Sequence, residues 1–179
     1  VTPNFEIKTV PGKLTVTPIS ISVKTSSGSK VYDGQPMANA TQVTLSGGKL
    51  IAGHTLGGAT KADYITDVGT HDNDRITPKV YSATGQDVTG NYLITINPGR
   101  YTIKPATLHI GTPLVTGEYS AQPYSGKCDA TASAQGLVNG QKVELEVVSD
   151  GVELGLHPMH VTGYRVLDAR GRDVTGNYT

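Results

Sequence analysis

The sequence has 179 residues, and its 15 Lys and Arg balance 15 Asp and Glu, so the formal net charge at pH 7 is zero. This balance excludes the basic surface of a nucleic-acid-binding protein, and no apolar run approaches the roughly 20 residues of a membrane-spanning helix. A single cysteine excludes an intrachain disulfide and a cysteine-based zinc site. Val, Ile, Thr and Tyr form a third of the chain, and 22 glycines and 10 prolines supply turns, so the composition predicts a mainly β protein.

The first predicted element lies in residues 1–18, where apolar and polar residues alternate on both sides of Pro11-Gly12. Residues 91–104 repeat the same scheme around Pro98-Gly99. Proline presets φ and glycine accepts a positive φ, so each Pro-Gly pair suits a type II turn. Each segment is therefore predicted to form a β-hairpin with one buried face.

An internal repeat organises the chain. The string DVTGNY occurs without change at residues 87–92 and 173–178, which are 86 positions apart, and the segments further upstream match at an offset of 87. The matched letters are diverse, which argues against coincidence in a low-complexity sequence. The predicted organisation has three parts, because residues 1–18 also align with the end of the repeat. They are the C-terminal hairpin of a preceding repeat at 1–18, a complete first repeat at 19–105, and a second repeat lacking its C-terminal hairpin at 106–179.

No stretch of the sequence keeps a helical apolar period, whereas alternating residues predict strands in both repeats. A repeat of this length has a core barely large enough for independent stability, so packing repeats end to end should stabilise them. The junction Lys104-Pro105-Ala106 is short and lacks a flexible Gly/Ser tract. We therefore predict two tandem, small β-rich modules in an elongated arrangement with a stiff joint.

Three motifs carry a resemblance to a known family: VYDG at residues 31–34, the DVTGNY segment, and the x-P-G-[KR]-x-T-[IV] pattern that follows it. Together they resemble the MBG/YDG-type tandem repeats of bacterial cell-surface, adhesin-like proteins. The resemblance implies a β-grasp-like module, and an Ig-like sandwich is the alternative architecture. The second repeat departs from the motif, because Tyr119-Ser120-Ala121 replaces its Tyr-Asp-Gly.

The same resemblance implies a non-catalytic role as a stalk or spacer repeat of an extracellular protein, either secreted or held at the bacterial cell surface. Its partners would be the neighbouring repeats of the same protein. The alternative is an adhesion module that itself binds a host glycan, mucin or protein. A binding module should carry an exposed apolar patch or a concave groove, and a spacer should not.

Candidate metal ligands cluster in two places, and neither cluster has the residue order or spacing of a known calcium or zinc site. The acidic cluster of the first repeat lacks the D-x-D-x-D-G order of a calcium loop. The histidines of the second repeat have no acidic or cysteine partner in zinc-site spacing. The residues considered are Asp63, Asp67, His71, Asp72 and Asp74, and then His109, His157 and His160. We expect no metal and no cofactor, with solvated loops at these places and a calcium or zinc site as the alternative.

Candidate nucleophiles and acids are equally isolated. Cys128 has no nearby histidine, so it is interpreted as a packed side chain, with an internal thioester to a glutamine as the alternative. Three glutamates, Glu144, Glu146 and Glu153, lie on or near one predicted strand and have no counterparts in the first repeat. The glycine pairs at 47–48 and 57–58 lack the order of a phosphate-binding loop. The sequence therefore predicts no catalytic residue and no enzyme.

Tyrosine supplies most of the aromatic side chains, since the chain has 9 Tyr, one Phe and no Trp. Tyrosines near strand ends can be core residues whose hydroxyl reaches the rim, or a platform that binds carbohydrate, and the core interpretation is favoured. They are Tyr32, Tyr92, Tyr101, Tyr119, Tyr124 and Tyr178. A Lys–Asn or Lys–Asp crosslink is not expected, because Lys30, Lys79 and Lys104 have no equally placed lysines in the second repeat.

The incomplete parts of the repeat pattern complement each other. The second repeat lacks the hairpin that follows Asn91-Tyr92 in the first, so it is expected to keep an unpaired sheet edge. Residues 1–18 are of the missing hairpin type. We expect them to complete the second repeat of another molecule by head-to-tail strand donation, and the rival hypothesis is that they dock on the first repeat of their own chain.

Overall fold

The computed structural model describes Asn4 and residues 8–38, 42–60 and 64–179. The protein is mainly β, as predicted, with short strands and single turns of 3-10 helix at Thr89–Asn91, Thr131–Ser133 and Thr175–Asn177. The strands are β1 (Ile19–Thr25), β2 (Gly28–Val31), β3 (Met37–Ala38), β4 (Val43–Gly47), β5 (Thr55–Thr60), β6 (Tyr64–Ile65), β7 (Gly69–Asp72), β8 (Ile76–Tyr81), β9 (Tyr92–Asn97), β10 (Arg100–Lys104), β11 (His109–Ile110), β12 (Ser125–Asp129), β13 (Ala134–Gln135), β14 (Lys142–Ser149) and β15 (Met159–Leu167). Within these described ranges, no helix is long and apolar enough to span a membrane.

The first repeat is built on two three-stranded sheets, in the orders β4-β1-β9 and β2-β10-β7, with the smaller pairs β3-β6 and β5-β8 beside them. β1 pairs in parallel with β9, and β2 pairs in parallel with β10. The chain therefore crosses from the first sheet to the second twice, between β1 and β2 and again between β9 and β10. Successive side chains of β1 and β10 point to opposite faces of the strand, and one face of each strand packs into the core. The buried side chains on these faces are Ile21, Val23, Tyr101 and Ile103.

The predicted hairpin at 91–104 is wrong. Its two strands, β9 and β10, are both fully described and pair with other strands in different sheets, so the segment is an arch. Gly99 does not have the positive φ of a type II turn. Glycine is required at this position because a Cβ would lie 2.4 Å from the Ser26 carbonyl oxygen. This is where the β1–β2 connection and the β9–β10 connection come into contact. Alternation predicted the strands correctly but contains no information about which strands pair.

The predicted hairpin at 1–18 falls partly outside the described residues, which omit 1–3 and 5–7. Residues 8–18 form no strand. The apolar side chains of Val10, Leu14 and Val16 are 85–91% exposed. These residues therefore do not dock on the first repeat of their own chain.

The second repeat reproduces two of the strand pairings of the first. Lys142 of β14 pairs with Leu167 of β15, as Thr55 of β5 pairs with Tyr81 of β8. A parallel bridge joins Ala106 to Tyr178, matching the parallel pair of Ile19 and Tyr92. β12 adds to β14, and β11 pairs with β13. The internal repeat of the sequence is therefore also a repeat of backbone pairing.

The buried side chains form two clusters that do not follow the predicted repeat boundary. The smaller cluster lies inside the first repeat around Val23, Val80 and Tyr92. The larger cluster runs from Tyr32 and Ile103 of the first repeat into the second repeat. The second repeat thus shares its core with the sheet of the first repeat that contains β10.

Candidate functional site: the joint between the repeats

The DVTGNY motif builds the same turn in both repeats. Thr175 donates its backbone N–H and its hydroxyl to Asp173 Oδ1, at 3.0 and 2.6 Å, and its Oγ1 accepts the Val166 N–H at 2.8 Å. Thr89 makes the same contacts with Asp87 and Val80. Hydrogen bonds from Thr175 hold the pKa of the Asp173 carboxyl below its usual range. At Asp87 the hydrogen bond from Lys79, and then those from Thr89, lower the pKa in the same way.

The tyrosine that ends the DVTGNY motif occupies an equivalent position in each repeat. Tyr178 accepts the backbone N–H of Val138 at 3.0 Å, and Tyr92 accepts that of Ile51 at 3.2 Å. The side chain beside the hydroxyl is Gln141 in the second repeat and His54 in the first. The turn therefore anchors a tyrosine whose hydroxyl satisfies a loop N–H.

The joint is formed where the first repeat contacts this anchored tyrosine. Tyr32, the tyrosine of the VYDG motif, packs edge to face on Tyr178 with ring centroids 5.4 Å apart. Gln141 Nε2 donates to the Tyr32 hydroxyl at 2.8 Å, and the Tyr178 hydroxyl donates to Gln141 Oε1. All three side chains are buried, and burial raises the pKa of Tyr178. A buried network whose members are all bonded fixes one relative position of the two repeats.

A second set of polar contacts lies at the rim of the joint. Arg172 Nη1 donates to Asp67 Oδ2 at 2.7 Å, and Asn177 Nδ2 donates to Asp67 Oδ1 at 2.9 Å. Asn177 Oδ1 accepts the Val68 N–H at 2.7 Å, so this buried amide is bonded on both sides. The Arg172 guanidinium, and then Asn177, hold the pKa of Asp67 below its usual range.

The rest of the VYDG motif shapes the turn that enters the joint. Asp33 accepts the Gln35 N–H at 2.9 Å and the Lys30 ammonium at 2.6 Å. Gly34 has φ +74°, and a Cβ there would lie 2.7 Å from Val138 Cγ1 of the second repeat. Glycine is therefore needed at this position both for its backbone conformation and for the close approach of the repeats.

The junction itself continues the hydrogen-bonded backbone. Lys104 O accepts the Tyr32 N–H at 2.9 Å, Ala106 N–H donates to Asn177 O at 3.0 Å, and Thr179 N–H donates to Ala106 O at 2.8 Å. Bonds on both sides of Pro105 leave little backbone freedom between the repeats. The short junction noted in the sequence is thus part of the sheet structure of both repeats.

Three members of the acidic cluster of the first repeat, Asp67, His71 and Asp72, make structural contacts. Asp72 pairs with Arg100 at 3.0 Å, His71 stacks on Tyr101, and Asp67 belongs to the joint. Asn73, between Asp72 and Asp74, is buried and donates to the Ser26 carbonyl oxygen at 3.1 Å. Asp63 lies outside the described residues. Over the residues that are described, no group of three His, Cys, Asp or Glu side chains is placed to hold a metal ion.

Most of the other candidate reactive groups lie apart. His160 Nε2 lies 2.5 Å from Asp150, His157 bonds the Glu153 carbonyl oxygen, and His109 is exposed on β11. Cys128 is half-buried on β12 with a free thiol. Glu144 and Glu146 lie on the same face of β14 and line one small pocket together with Lys127 and Arg165, whereas Glu153 lies on a loop beyond this strand.

The candidate tyrosines divide between core and surface. Tyr32, Tyr92, Tyr101 and Tyr178 are buried, whereas Tyr119 is exposed and Tyr124 half-buried. The candidate lysines lie at the surface: Lys30 and Lys79 form ion pairs with Asp33 and Asp87, and Lys104 is exposed. The buried tyrosines do not form a carbohydrate platform.

Tyr119 and Tyr124 line an open cleft in the second repeat. The cleft has a volume of about 510 Å³ and lies between residues 112–124 and residues 149–159. Leu114, Leu154 and Leu156 beside it are 80–90% exposed. This is a concave groove of the kind that the sequence analysis associated with a binding module.

Sequence reasoning predicted a stiff joint but missed the residues that form it. Gln141, Arg172 and Asn177 carry most of its polar contacts. A usable signal was the repeat alignment, because His54 and Gln86 occupy the positions of Gln141 and Arg172 in the first repeat. Positions where two copies of a repeat differ in charge or size are candidates for contacts that only one copy makes.

Comparison of the chain with known protein families, curated proteins and solved structures found no match.

Proposed function

We propose that the chain is a non-catalytic spacer segment of a stalk on a secreted or surface-anchored bacterial protein, with neighbouring repeats of that protein as its partners. The observation that carries the proposal is the buried, fully hydrogen-bonded joint. Repeats joined by a flexible linker move independently, whereas a packed joint transmits orientation from one repeat to the next. Such a segment holds whatever follows it at a fixed distance and direction.

The composition of the joint supports the same proposal. VYDG and DVTGNY, two of the three motifs that carry the family resemblance, supply Tyr32, Gly34, Asn177 and Tyr178 to the joint. Residues of these motifs thus connect the two repeats, and the candidate reactive groups lie outside the joint apart from Asp67, which is ion-paired with Arg172. This is the distribution expected of a spacer.

Surface labelling tests the location that the proposal requires. An antibody raised against the folded chain should label intact cells of the source bacterium as strongly as permeabilised cells. Labelling that depends on permeabilisation would overturn the proposed location. Labelling of the culture medium alone would correspond to the secreted form of the same proposal.

The open cleft favours a second candidate function, an adhesion module that binds a host glycan, mucin or protein. Its exposed tyrosine and leucines resemble the apolar lining of ligand sites. A glycan and mucin array probed with the chain tests this candidate. The variant Leu156→Asp is the matched control, because Leu156 is 90% exposed and its replacement leaves the core intact. Binding that Leu156→Asp abolishes would favour adhesion over the spacer role.

A further inference from the structure

Both repeats make the same β-turn, beginning at the residue whose N–H the DVTGNY tyrosine accepts. In the second repeat the Gln141 N–H donates to the Val138 carbonyl oxygen at 3.1 Å, and the counterpart turn at residues 51–54 closes with a bond of 2.9 Å. The third residue of each turn is a glycine of positive φ, +81° and +84° respectively. The second residue is Asn139 in one repeat and Ala52 in the other. The turn therefore does not need the asparagine side chain.

Asn139-Gly140 is the one place in the sequence where glycine follows asparagine. In such a pair the glycine nitrogen attacks the side-chain amide carbon, because no Cβ shields the nitrogen and the glycine backbone rotates freely. The new C–N bond closes a succinimide ring, the Cγ–Nδ2 bond breaks, and ammonia leaves with the proton that the glycine nitrogen gives up. Water then opens the ring at either carbonyl, giving aspartate or isoaspartate. Isoaspartate carries the main chain through Cβ and lengthens it by one atom.

The surroundings of this turn leave room for the reaction. Asn139 and Gly140 are both exposed. A Cβ at Gly140 would meet no atom of the described residues within 4 Å, whereas one at its counterpart Gly53 would lie 3.3 Å from Ala83 Cβ. Ring closure requires the peptide between Asn139 and Gly140 to rotate out of the turn. Hydration of this exposed turn offsets much of the hydrogen bond that is lost.

The two ends of the same turn contact the joint. At one end the Val138 side chain lies against Gly34 of the first repeat, and the Val138 N–H donates to the Tyr178 hydroxyl at 3.0 Å. At the other end Gln141 Nε2 donates to the Tyr32 hydroxyl at 2.8 Å. Two residues separate these contacts, so an additional main-chain atom between them moves one contact away from its partner. A buried polar group that loses its partner destabilises the folded state.

We propose that Asn139 is a site of spontaneous deamidation in the folded chain, and that its isoaspartate product weakens the joint between the repeats. The reaction consumes water and releases ammonia, and it needs no enzyme. The rigidity of the joint then declines with the age of the molecule. The inference goes beyond the spacer role and does not depend on cellular location.

Peptide mapping by mass spectrometry tests the modification on the intact, folded chain kept at mildly alkaline pH. The peptide that contains Asn139 should gain the mass of OH in place of NH2 and separate into aspartate and isoaspartate forms. Asn91 is the internal reference: it is also exposed but is followed by tyrosine, and it should react more slowly by about tenfold or more. If Asn139 stays intact while the same chain unfolded in urea loses this amide, the proposal is overturned, because the fold then protects the turn.

Urea denaturation of the aged chain tests the effect on the joint. The deamidated fraction, isolated by ion exchange, should unfold at a lower urea concentration than fresh wild type. Asn139→Asp has the new charge with a normal main chain, and Asn139→Ala has the residue of the first repeat, so both should match fresh wild type. A deamidated fraction as stable as Asn139→Asp would overturn the coupling to the joint. Equal loss of stability in aged Asn139→Ala would overturn the site, since the change would then lie elsewhere.

Discussion

At the scale of single residues, the two copies of the YDG turn show what the motif requires. Gly34 of the first repeat has φ +74°, and the aligned Ala121 of the second has φ +57°. Among the described residues, Ala121 is the only non-glycine with a positive φ. The left-handed region costs an alanine roughly 1–2 kcal/mol, so the second repeat keeps the shape of the turn at the expense of strain.

Replacing Ala121 by glycine should therefore stabilise the chain. The expected gain in the free energy of unfolding is about 0.5–1 kcal/mol, because the relieved strain exceeds the entropy that glycine adds to the unfolded state. Chemical denaturation measures it. Ala169→Gly, in an exposed turn without a positive φ, is the control and should lose stability by about 0.4–1 kcal/mol. An Ala121→Gly variant less stable than wild type would contradict the strained turn.

Asp67 makes the stability of the joint depend on pH. Arg172 and Asn177 hold the pKa of Asp67 below its unfolded value of about 3.9. A carboxyl whose folded pKa is depressed stabilises the folded state above the unfolded pKa, and this stabilisation is lost as the pH falls through the folded pKa. Stability should therefore decline as the pH is lowered below about 4.

The variant Asp67→Asn isolates this contribution. It should be less stable than wild type at pH 7, and the difference should shrink as the pH falls, because only wild type loses the Asp67–Arg172 ion pair. Denaturation curves of both chains across the acid range measure the difference. A difference that stays constant with pH would show that the carboxylate charge is not what stabilises the joint.

At the scale of elements, the sequence predicts which segments form strands better than it predicts which strands pair with each other. The alternation in β1, β9, β10 and β14 was read correctly, since each strand turns buried side chains to one face. The pairing of these strands is predicted wrongly, because an arch and a hairpin share the same alternation of apolar residues and the same Pro-Gly pair. What separates them is the approach of Gly99 to Ser26, a contact between segments 73 positions apart.

Gly99→Ala tests the arch directly. A Cβ 2.4 Å from a carbonyl oxygen forces the two crossings apart, at a cost of about 1–3 kcal/mol of stability. Gly90→Ala is the control, because a Cβ at Gly90 would meet no atom within 4 Å. Thermal unfolding compares them. Equal stability of the two variants would indicate a true hairpin, in which Gly99 has space for a side chain.

At the scale of the whole molecule, the repeat explains which surfaces are buried. Tyr32 is 5% exposed because the second repeat covers it, whereas its counterpart Tyr119 is 61% exposed. The sequence indicated that the two tyrosines are equivalent but did not show that burial depends on the following repeat. The two repeats thus share one core cluster at the joint, as neighbouring units of tandem arrays do.

Removing the Tyr32 hydroxyl should weaken the joint without changing its shape. Tyr32→Phe leaves the buried Gln141 Nε2 without this acceptor, at a cost of about 1–3 kcal/mol. Tyr119→Phe, at the exposed counterpart, should leave stability unchanged within about 0.5 kcal/mol. Urea denaturation of both variants measures the difference. Similar stabilities would mean that Tyr32 is solvated and that the joint is open in solution.

Residual dipolar couplings of the backbone N–H groups test most directly whether the two repeats form one rigid unit. They are measured on the intact chain in a weakly aligning medium, and an alignment tensor is fitted separately to residues 19–105 and 106–179. A joint held by Tyr32, Gln141 and the Asp67–Arg172 pair predicts one tensor, of the same orientation and magnitude, for both repeats. Two tensors that differ in orientation or magnitude would contradict the account, because the repeats would then move independently.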